Sequence, residues 1–161
     1  MVFKIPKVDE AEAEILKEKR GSQNFPKTTE FPFSESYKNL VTAIKTTEIA
    51  SDAILYNAVE AVNENKESGF AGYWCFAGTG QGDRWLLDHE NKVFFYDHDA
   101  PGDFMPMEIN FGQWLQLAFL IQQLDQYFDE FETIPESVKK DFDEALNRIS
   151  PGLSELYPFG I

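Results

Sequence analysis

The sequence predicts an α+β fold in which a central antiparallel β-sheet, a meander, is flanked by helices and extended by further helices at the C-terminal end. Two observations carry this prediction. Three short aromatic and branched segments follow one another with brief connections, as adjacent strands of one sheet do. Further along, apolar residues recur every three or four positions over two long stretches, which is the period of amphipathic helices.

Composition indicates one folded, acidic domain spanning residues 1–161. The chain is 43% hydrophobic and 15% aromatic, which is enough to form a sizeable core. Its formal net charge is −14. A surface this negative repels a phosphate backbone, so direct nucleic-acid binding is not expected. The same charge would attract a basic protein partner, although an acidic composition also serves solubility alone.

The sequence argues against a disulfide, a zinc site, a secretory signal and a membrane span. The single Cys75 rules out an internal disulfide, and two histidines cannot supply a zinc site built on several Cys and His ligands. The acidic N-terminal segment has no apolar region of the kind found in secretory signals, and the longest apolar cluster, residues 114–121, is too short for a bilayer. We expect a cytoplasmic protein with no membrane contact and no cofactor.

Capping patterns place the first two helices. Asp9 followed by Glu12 has the spacing of a capping box, so a short helix is expected there. Cations that favour a helix C-terminus precede Gly21, namely Lys17, Lys19 and Arg20. After a loop rich in turn formers, Ser34 or Ser36 opens a second helix.

A strand followed by a helix is expected next. The brief apolar run AILY at residues 53–56 suits a strand. Asn57 with Glu60 repeats the capping arrangement and predicts a short helix that fades within the polar residues 64–68.

The predicted meander comprises GYWCFA at residues 72–77, RWLLD at 84–88 and KVFFYD at 92–97. Such apolar strands need a cover on one face. The cover is expected from a helix that Asn110 caps and whose apolar stripe reaches Phe128, the strongest helical pattern in the chain. A final helix is expected from about Pro135 to Ile149, where Pro151 and Gly152 end it.

The glycine-rich stretch FAGTGQGDRWLLD raises the question of a phosphate site. Asp83 and Arg84 follow the last glycine, so the lysine and hydroxyl of a P-loop are missing. A dinucleotide fingerprint would open a helix, whereas this stretch continues as a strand. The sequence therefore predicts a turn in which Gly78, Gly80 or Gly82 adopts positive φ and Asp83 accepts hydrogen bonds from the loop's own N–H groups.

An acidic segment, DHDAPGDFMPME, partly matches a calcium loop. Asp97, Asp99, Gly102 and Glu108 occupy positions 1, 3, 6 and 12 of that motif. Position 5 is Pro101, however, and the flanking residues do not suggest helices. An acidic loop at the exposed end of the meander, without a metal, is the expected structure.

No catalytic set emerges from the sequence. His89 and His98 have no Ser or Cys at a motif spacing that would indicate a nucleophile and its base. Cys75, set among aromatic residues, is expected to be a small buried side chain rather than a reactive thiol. We therefore expect a protein that is not an enzyme.

Three stretches resemble the SUKH superfamily, which includes Smi/Knr-type regulators of fungal cell-wall synthesis and bacterial immunity proteins. They are FP and SYKNL within residues 31–40, FAGTGQGDRWLLD and NKVFFYD within 76–97, and MEINFGQWL at 107–115. The resemblance covers about residues 31–124, and residues 125–161 form a C-terminal helical extension. One departure is that an Asn-Gly-Gly segment typical of the family is absent from residues 44–50, which read IKTTEIA.

The resemblance implies an α+β fold and a role in binding, and for bacterial members the neutralisation of a toxin. The acidic composition would complement a basic toxin such as a nuclease. The alternatives are a regulatory scaffold of the cell-wall synthesis type, or a small-molecule or calcium-binding domain that uses Asp97, Asp99, Asp103 and Glu108.

Loops at the ends of the sheet are the expected partner contacts. The candidate residues are Asp83, Arg84 and Trp85, together with Asp97, Asp99 and Asp103 in the segment 97–103. Trp85 beside Arg84 offers an aromatic and a cationic anchor. Core packing is the alternative role for Trp85.

Overall fold

The computed structural model describes residues 1–19, 21 and 23–161. Within these residues the chain forms six helices and six strands. In order they are α1 (Val8–Leu16), α2 (Glu35–Val41), β1 (Thr47–Ala50), β2 (Ala53–Leu55), α3 (Ala58–Ser68), β3 (Trp74–Gly78), β4 (Arg84–Leu87), β5 (Lys92–Tyr96), β6 (Phe104–Asn110), α4 (Phe111–Phe131), α5 (Glu136–Ile149) and α6 (Leu153–Leu156).

The strands form one antiparallel sheet in the order β1-β2-β3-β4-β5-β6, so the predicted α+β fold with a central meander is confirmed. The sheet is wider than predicted, because β1 and β6 were not expected. β6 lies partly in the segment expected to be an acidic loop, and it contains Pro106. Proline lacks an N–H donor and is tolerated mainly in edge strands, which is where β6 lies.

The long helix α4 covers one face of the sheet, as its apolar period predicts. Trp114 of α4 packs edge-on against Phe76 of β3, with ring centroids 4.8 Å apart, and against Trp85 of β4 at 6.0 Å. All three side chains are fully buried. Aromatic pairs in this geometry contribute about 0.5–1.5 kcal/mol each beyond the burial of their area.

Most predicted caps are confirmed. The side chains of Ser34, Asn57 and Asn110 each accept a hydrogen bond from a backbone N–H in the first turn of α2, α3 and α4. The first helix differs, because α1 starts two residues earlier than predicted, with Lys7 as its N-cap. The predicted cations at its C-terminus include Arg20, which lies outside the described residues.

The C-terminal extension packs against the core. Tyr157 contacts Phe142 of α5, with centroids 5.2 Å apart. Phe159 packs edge-on against Phe95 of β5 at 5.2 Å and against Trp85 at 5.9 Å. The last residues of the chain therefore lie beside the strands that the family resemblance covers.

The glycine-rich stretch forms the hairpin turn between β3 and β4, and β4 follows Asp83 as a strand. Gly82 has a φ of 93°, the left-handed conformation that glycine adopts at little cost. One detail of the prediction is wrong. The N–H groups of Gln81 and Asp83 donate to the hydroxyl of Thr79. The Asp83 carboxylate accepts from the Thr79 hydroxyl and from the N–H of His98, which lies in a different turn.

Gly78 is expected to tolerate no side chain while Tyr56 is present. A Cβ atom at this position would overlap the Tyr56 hydroxyl. Because overpacking of a buried site costs about 1–3 kcal/mol, Gly78→Ala should lower the free energy of unfolding by that amount. In a Tyr56→Phe background the loss should be about half or less. Urea denaturation of the wild-type protein, the two single variants and the double variant measures both losses.

Gly160→Ala is the matched control, since a Cβ there meets no atom within 4 Å. It should change the free energy of unfolding by less than about 0.5 kcal/mol. An equal loss for Gly78→Ala in both backgrounds would show that the Tyr56 hydroxyl is not the obstacle.

Candidate functional site

Asp83 connects two turns at one end of the sheet. Its Oδ1 atom accepts a hydrogen bond from the backbone N–H of His98, 3.2 Å away, and lies 2.7 Å from the Nδ1 atom of His98. Its Oδ2 atom accepts from the Thr79 hydroxyl at 3.3 Å. Asp83 is only 9% exposed. The β3–β4 turn and the turn after β5 are therefore held together by one nearly buried carboxylate.

His98 is exposed and surrounded by carboxylates. Its pKa is raised above the ordinary value, first by the hydrogen bond to Asp83 and also by the charges of Asp99, Asp83 and Asp97. Its second ring nitrogen, Nε2, lies 3.4 Å from the Asp99 carboxylate. In a catalytic triad this nitrogen faces a hydroxyl or thiol nucleophile. Here it faces an anion, so the Asp–His pair is arranged to hold positive charge.

The same turns bring together a donor set that could hold a cation. One ligand atom each from Asp83, Asp97 and His98 lies within 4.8 Å of the others. Both carboxylate oxygens of Asp83 already accept hydrogen bonds from the protein.

The calcium loop suggested by the sequence is not assembled. Asp97 and Asp99 lie in the turn after β5, and the chain returns along β6 before it reaches Glu108. Glu108 is four residue steps along the strand from Phe104, which corresponds to about 13 Å. Glu108 therefore lies near the opposite end of the β5–β6 pair and cannot complete a site with Asp97. The alternative of a calcium-binding domain that joins Glu108 to Asp97 and Asp99 is not supported by this geometry.

A second group of carboxylates lies around the turn between β1 and β2, with Asp52 in the turn and Asp125 on α4. Asp125 of α4 accepts hydrogen bonds from the N–H and the hydroxyl of Ser51, at 2.9 and 3.1 Å. The carbonyl of Asp52 accepts from the Trp85 indole N–H at 2.8 Å. Burial raises the pKa of the Asp52 carboxyl, and the charges of Asp125 and Asp83 raise it further. The ionised Asp52 carboxylate is thus placed among like charges.

These groups line three adjoining depressions. The hairpin pocket, about 310 Å³, lies between the two turns and the C-terminal residues. The tail pocket, about 300 Å³, lies between α4 and the same C-terminal residues, and the edge groove, about 500 Å³, lies between β1 and α4. Asp52 lines both pockets, while Asp125 and Phe128 line the tail pocket and the edge groove.

We call the surface formed by the three depressions the acidic face. Its carboxylates are those of Glu48, Asp52, Asp83, Asp97, Asp99, Asp125 and Asp129. Among the described residues no Lys or Arg lines any of the three, and His98 is the one basic side chain there. Elsewhere the charges are mixed, as in a depression beside α2 that Lys27, Lys38 and Glu35 line together.

The structure separates the residues predicted to contact a partner. Asp83, Asp97 and Asp99 are brought together in the hairpin pocket. Asp103 is exposed but lines none of the three depressions.

The two predicted anchors lie elsewhere. Arg84 lies 3.0 Å from the Glu64 carboxylate and over the ring of Phe70, away from Asp83. Trp85 is 0% exposed, so the core role that the sequence left open is correct and the expectation that it anchors a partner is wrong. An indole packed between Trp114 and Phe159 cannot reach another protein.

Sequence reasoning missed the part of the acidic face that comes from distant segments. Asp52 follows Ser51 in a two-residue turn, and Asp125 lies on α4 between Leu124 and Gln126, so neither has a local pattern that marks a site. Phe159 lies in the C-terminal extension, outside the family resemblance, and no local pattern marks it. These residues meet only because α4 and the C-terminal segment pack across the β1–β2 turn.

Cys75 is a buried structural residue. Burial raises the pKa of its thiol to about 12, which keeps it protonated at neutral pH. The Asn65 side chain bonds to both the N–H and the carbonyl of Cys75, each at 2.8 Å.

Comparisons of the chain with protein-family models, with curated proteins and with solved structures gave no match. In the part of the chain that the structure describes, no helix has the length and apolar character needed to cross a membrane.

Replacing Asp52 by the isosteric asparagine is expected to stabilise the fold at neutral pH. The pKa of Asp52 is raised in the folded state, so ionisation costs more there than in the unfolded chain. The cost is absent below the unfolded pKa, near 4, and is complete above the folded pKa. Urea denaturation should therefore show a stability gain for Asp52→Asn that grows as pH rises from 3 to 7.

Asp129→Asn is the control, because it removes an exposed charge from the same face. It should give a smaller gain than Asp52→Asn at pH 7. A destabilised Asp52→Asn protein would contradict the strained-charge interpretation.

The His98 pKa is expected to lie above its ordinary value of about 6.5 in the folded protein. A raised histidine pKa contributes stability below the unfolded pKa, and this contribution is lost as pH rises through the folded pKa. An NMR pH titration of the imidazole resonances measures the midpoint. Asp83→Asn should lower it towards the ordinary value, whereas Asp129→Asn should leave it within about 0.2 units. A midpoint that does not respond to Asp83→Asn would refute the assignment.

Proposed function

We propose that this protein is a non-enzymatic, cytoplasmic binding protein of the immunity type, which neutralises a basic toxin by occupying it through the acidic face. The observation that carries the proposal is the segregation of charge. Seven carboxylates line three adjoining depressions, and no Lys or Arg among the described residues accompanies them.

Repulsion among these carboxylates lowers the free energy of unfolding of the isolated protein. Carboxylates crowded at one surface repel one another, and the pKa of Asp52 is raised first by burial and then by the charges of Asp125 and Asp83. A face of one sign also concentrates the field and speeds the encounter with a partner of opposite sign. A cationic surface docked on this face would neutralise the repulsion among the carboxylates. The relief of that repulsion would contribute to the free energy of binding.

The toxin class follows from the same chemistry. Enzymes that act on nucleic acids present Lys and Arg to the phosphate backbone. The carboxylates of Asp97, Asp99 and Asp129 project from turns and from α4, where they can take the place of phosphates at such a surface. A basic nuclease domain is therefore the proposed target, and occupation of its substrate site is the proposed mode of neutralisation.

The test is co-expression with the C-terminal domain of a large secreted protein encoded beside this chain. Growth should be rescued, and the purified complex should weaken steeply as salt rises from 50 to 500 mM. Binding without rescue would favour the regulatory-scaffold alternative. A neighbouring gene with no such domain, or an affinity indifferent to salt, would count against the proposal.

Neutralising three exposed carboxylates of the acidic face should weaken the complex at least tenfold, mainly through slower association. The variant is Glu48→Gln/Asp99→Asn/Asp129→Asn. The control, Glu18→Gln/Asp143→Asn/Glu144→Gln, changes the net charge by the same three units at exposed positions that line none of the three depressions. Surface plasmon resonance at 100 mM salt compares the two. Equal losses would show that net charge, not the acidic face, governs binding.

A further inference from the structure

The tail pocket differs from the rest of the acidic face because its walls are apolar. They are formed by Ile121, Leu124, Phe128, Ile134, Tyr157 and Phe159. Two carboxylates, Asp52 and Asp125, line the same pocket, and among the described residues no cation does. Its volume of about 300 Å³ lies at the lower end of the range for ligand sites, which suits one side chain rather than a larger molecule.

The two carboxylates are not equivalent. Asp125 already accepts two hydrogen bonds from Ser51 and so holds the β1–β2 turn in place. The hydrogen bond that Asp52 accepts is made to its backbone carbonyl, from Trp85. The backbone of Asp52 is thus held by Trp85, and Asp52 lines both the tail pocket and the hairpin pocket.

Two further observations favour the binding of a cationic group in this pocket. Phe128 is 51% exposed, although it forms part of the apolar wall and lies one turn after Asp125 on α4. The Tyr157 hydroxyl has its pKa raised by burial and then by the charges of Asp52 and Asp125, so both charges act on the wall of the pocket. An aromatic surface beside uncompensated carboxylates is the environment in which a flat cation binds well.

We propose that the tail pocket binds an arginine side chain of the protein partner, with its guanidinium stacked on the aromatic wall and hydrogen-bonded to the Asp52 carboxylate. Arginine fits better than lysine because its guanidinium is planar, weakly hydrated and able to stack on aromatic rings. Its aliphatic stem covers the apolar residues of α4. The inference rests on the proposed function for the identity of the partner, but the pocket can be tested without that partner.

The experiment uses the full chain and the peptide acetyl-Gly-Arg-Gly-amide, followed by amide and methyl NMR shifts. The dissociation constant should be on the order of 10 mM, and the shifts should be confined to the tail pocket. The citrulline peptide, which keeps the shape and loses the charge, and the lysine peptide should each bind at least about fivefold more weakly.

Two matched pairs of variants test the contacts. Asp52→Asn should weaken the arginine peptide about three- to fivefold, and Asp97→Asn, which removes a charge from the hairpin pocket, less than about twofold. Phe128→Ala should weaken it similarly, while Phe131→Ala, at an equally exposed phenylalanine that does not line the pocket, should not. Thermal melting of each variant confirms that it is folded.

Several results would overturn the inference: no shift up to 50 mM peptide, equal binding of the citrulline peptide, or shifts spread evenly over the acidic face with arginine and lysine alike. These outcomes are distinct from a failure of the proposed function. If the toxin complex forms and depends on salt but the peptide does not enter the pocket, the function stands and the arginine site is wrong. If the peptide binds and no toxin is neutralised, the arginine site stands and the toxin target is wrong.

Discussion

The buried indole of Trp85 determines where the acidic face lies. Its ring packs against Trp114 of α4 on one side and Phe159 of the C-terminal segment on the other, and its N–H donates to the carbonyl of Asp52. One side chain therefore sets the positions of a helix, a turn and the end of the chain relative to the sheet. Because those three segments supply the walls and carboxylates of the tail pocket, the pocket depends on a residue that no partner can touch.

The carboxylates of the acidic face are stabilised unequally. Asp83 accepts from Thr79 and from His98, and Asp125 accepts twice from Ser51, so these two are integrated into turns. Asp52 has its pKa raised by burial and by its neighbours. Asp52 lines the tail pocket together with Asp125.

Much of the fold could be predicted because its signals are local. The strands β2 to β5, the hairpin turn and the long helix α4 follow from periodicity, turn chemistry and caps within single stretches of chain. β6 was missed because Pro106 and the surrounding acids resemble a loop, and an edge strand tolerates such a sequence. Three of the seven carboxylates of the acidic face could be predicted, since Asp83, Asp97 and Asp99 lie in the turns themselves. Asp52 and Asp125 could not be, because they are brought together by tertiary packing.

The pleat of β4 explains why Arg84 does not lie on the acidic face, where His98 is the one basic side chain among the described residues. Successive residues of a strand point to opposite faces, so Arg84 is directed away from Asp83 although the two are neighbours in sequence. On the opposite face the Arg84 guanidinium lies 3.0 Å from the Glu64 carboxylate and over the Phe70 ring, so its charge is paired there. A shift of one residue in the strand register would exchange the two faces and place a guanidinium among the carboxylates. The buried Trp85 opposes that shift, because it would expose the indole, and the same residue that fills the core therefore keeps the surface negative.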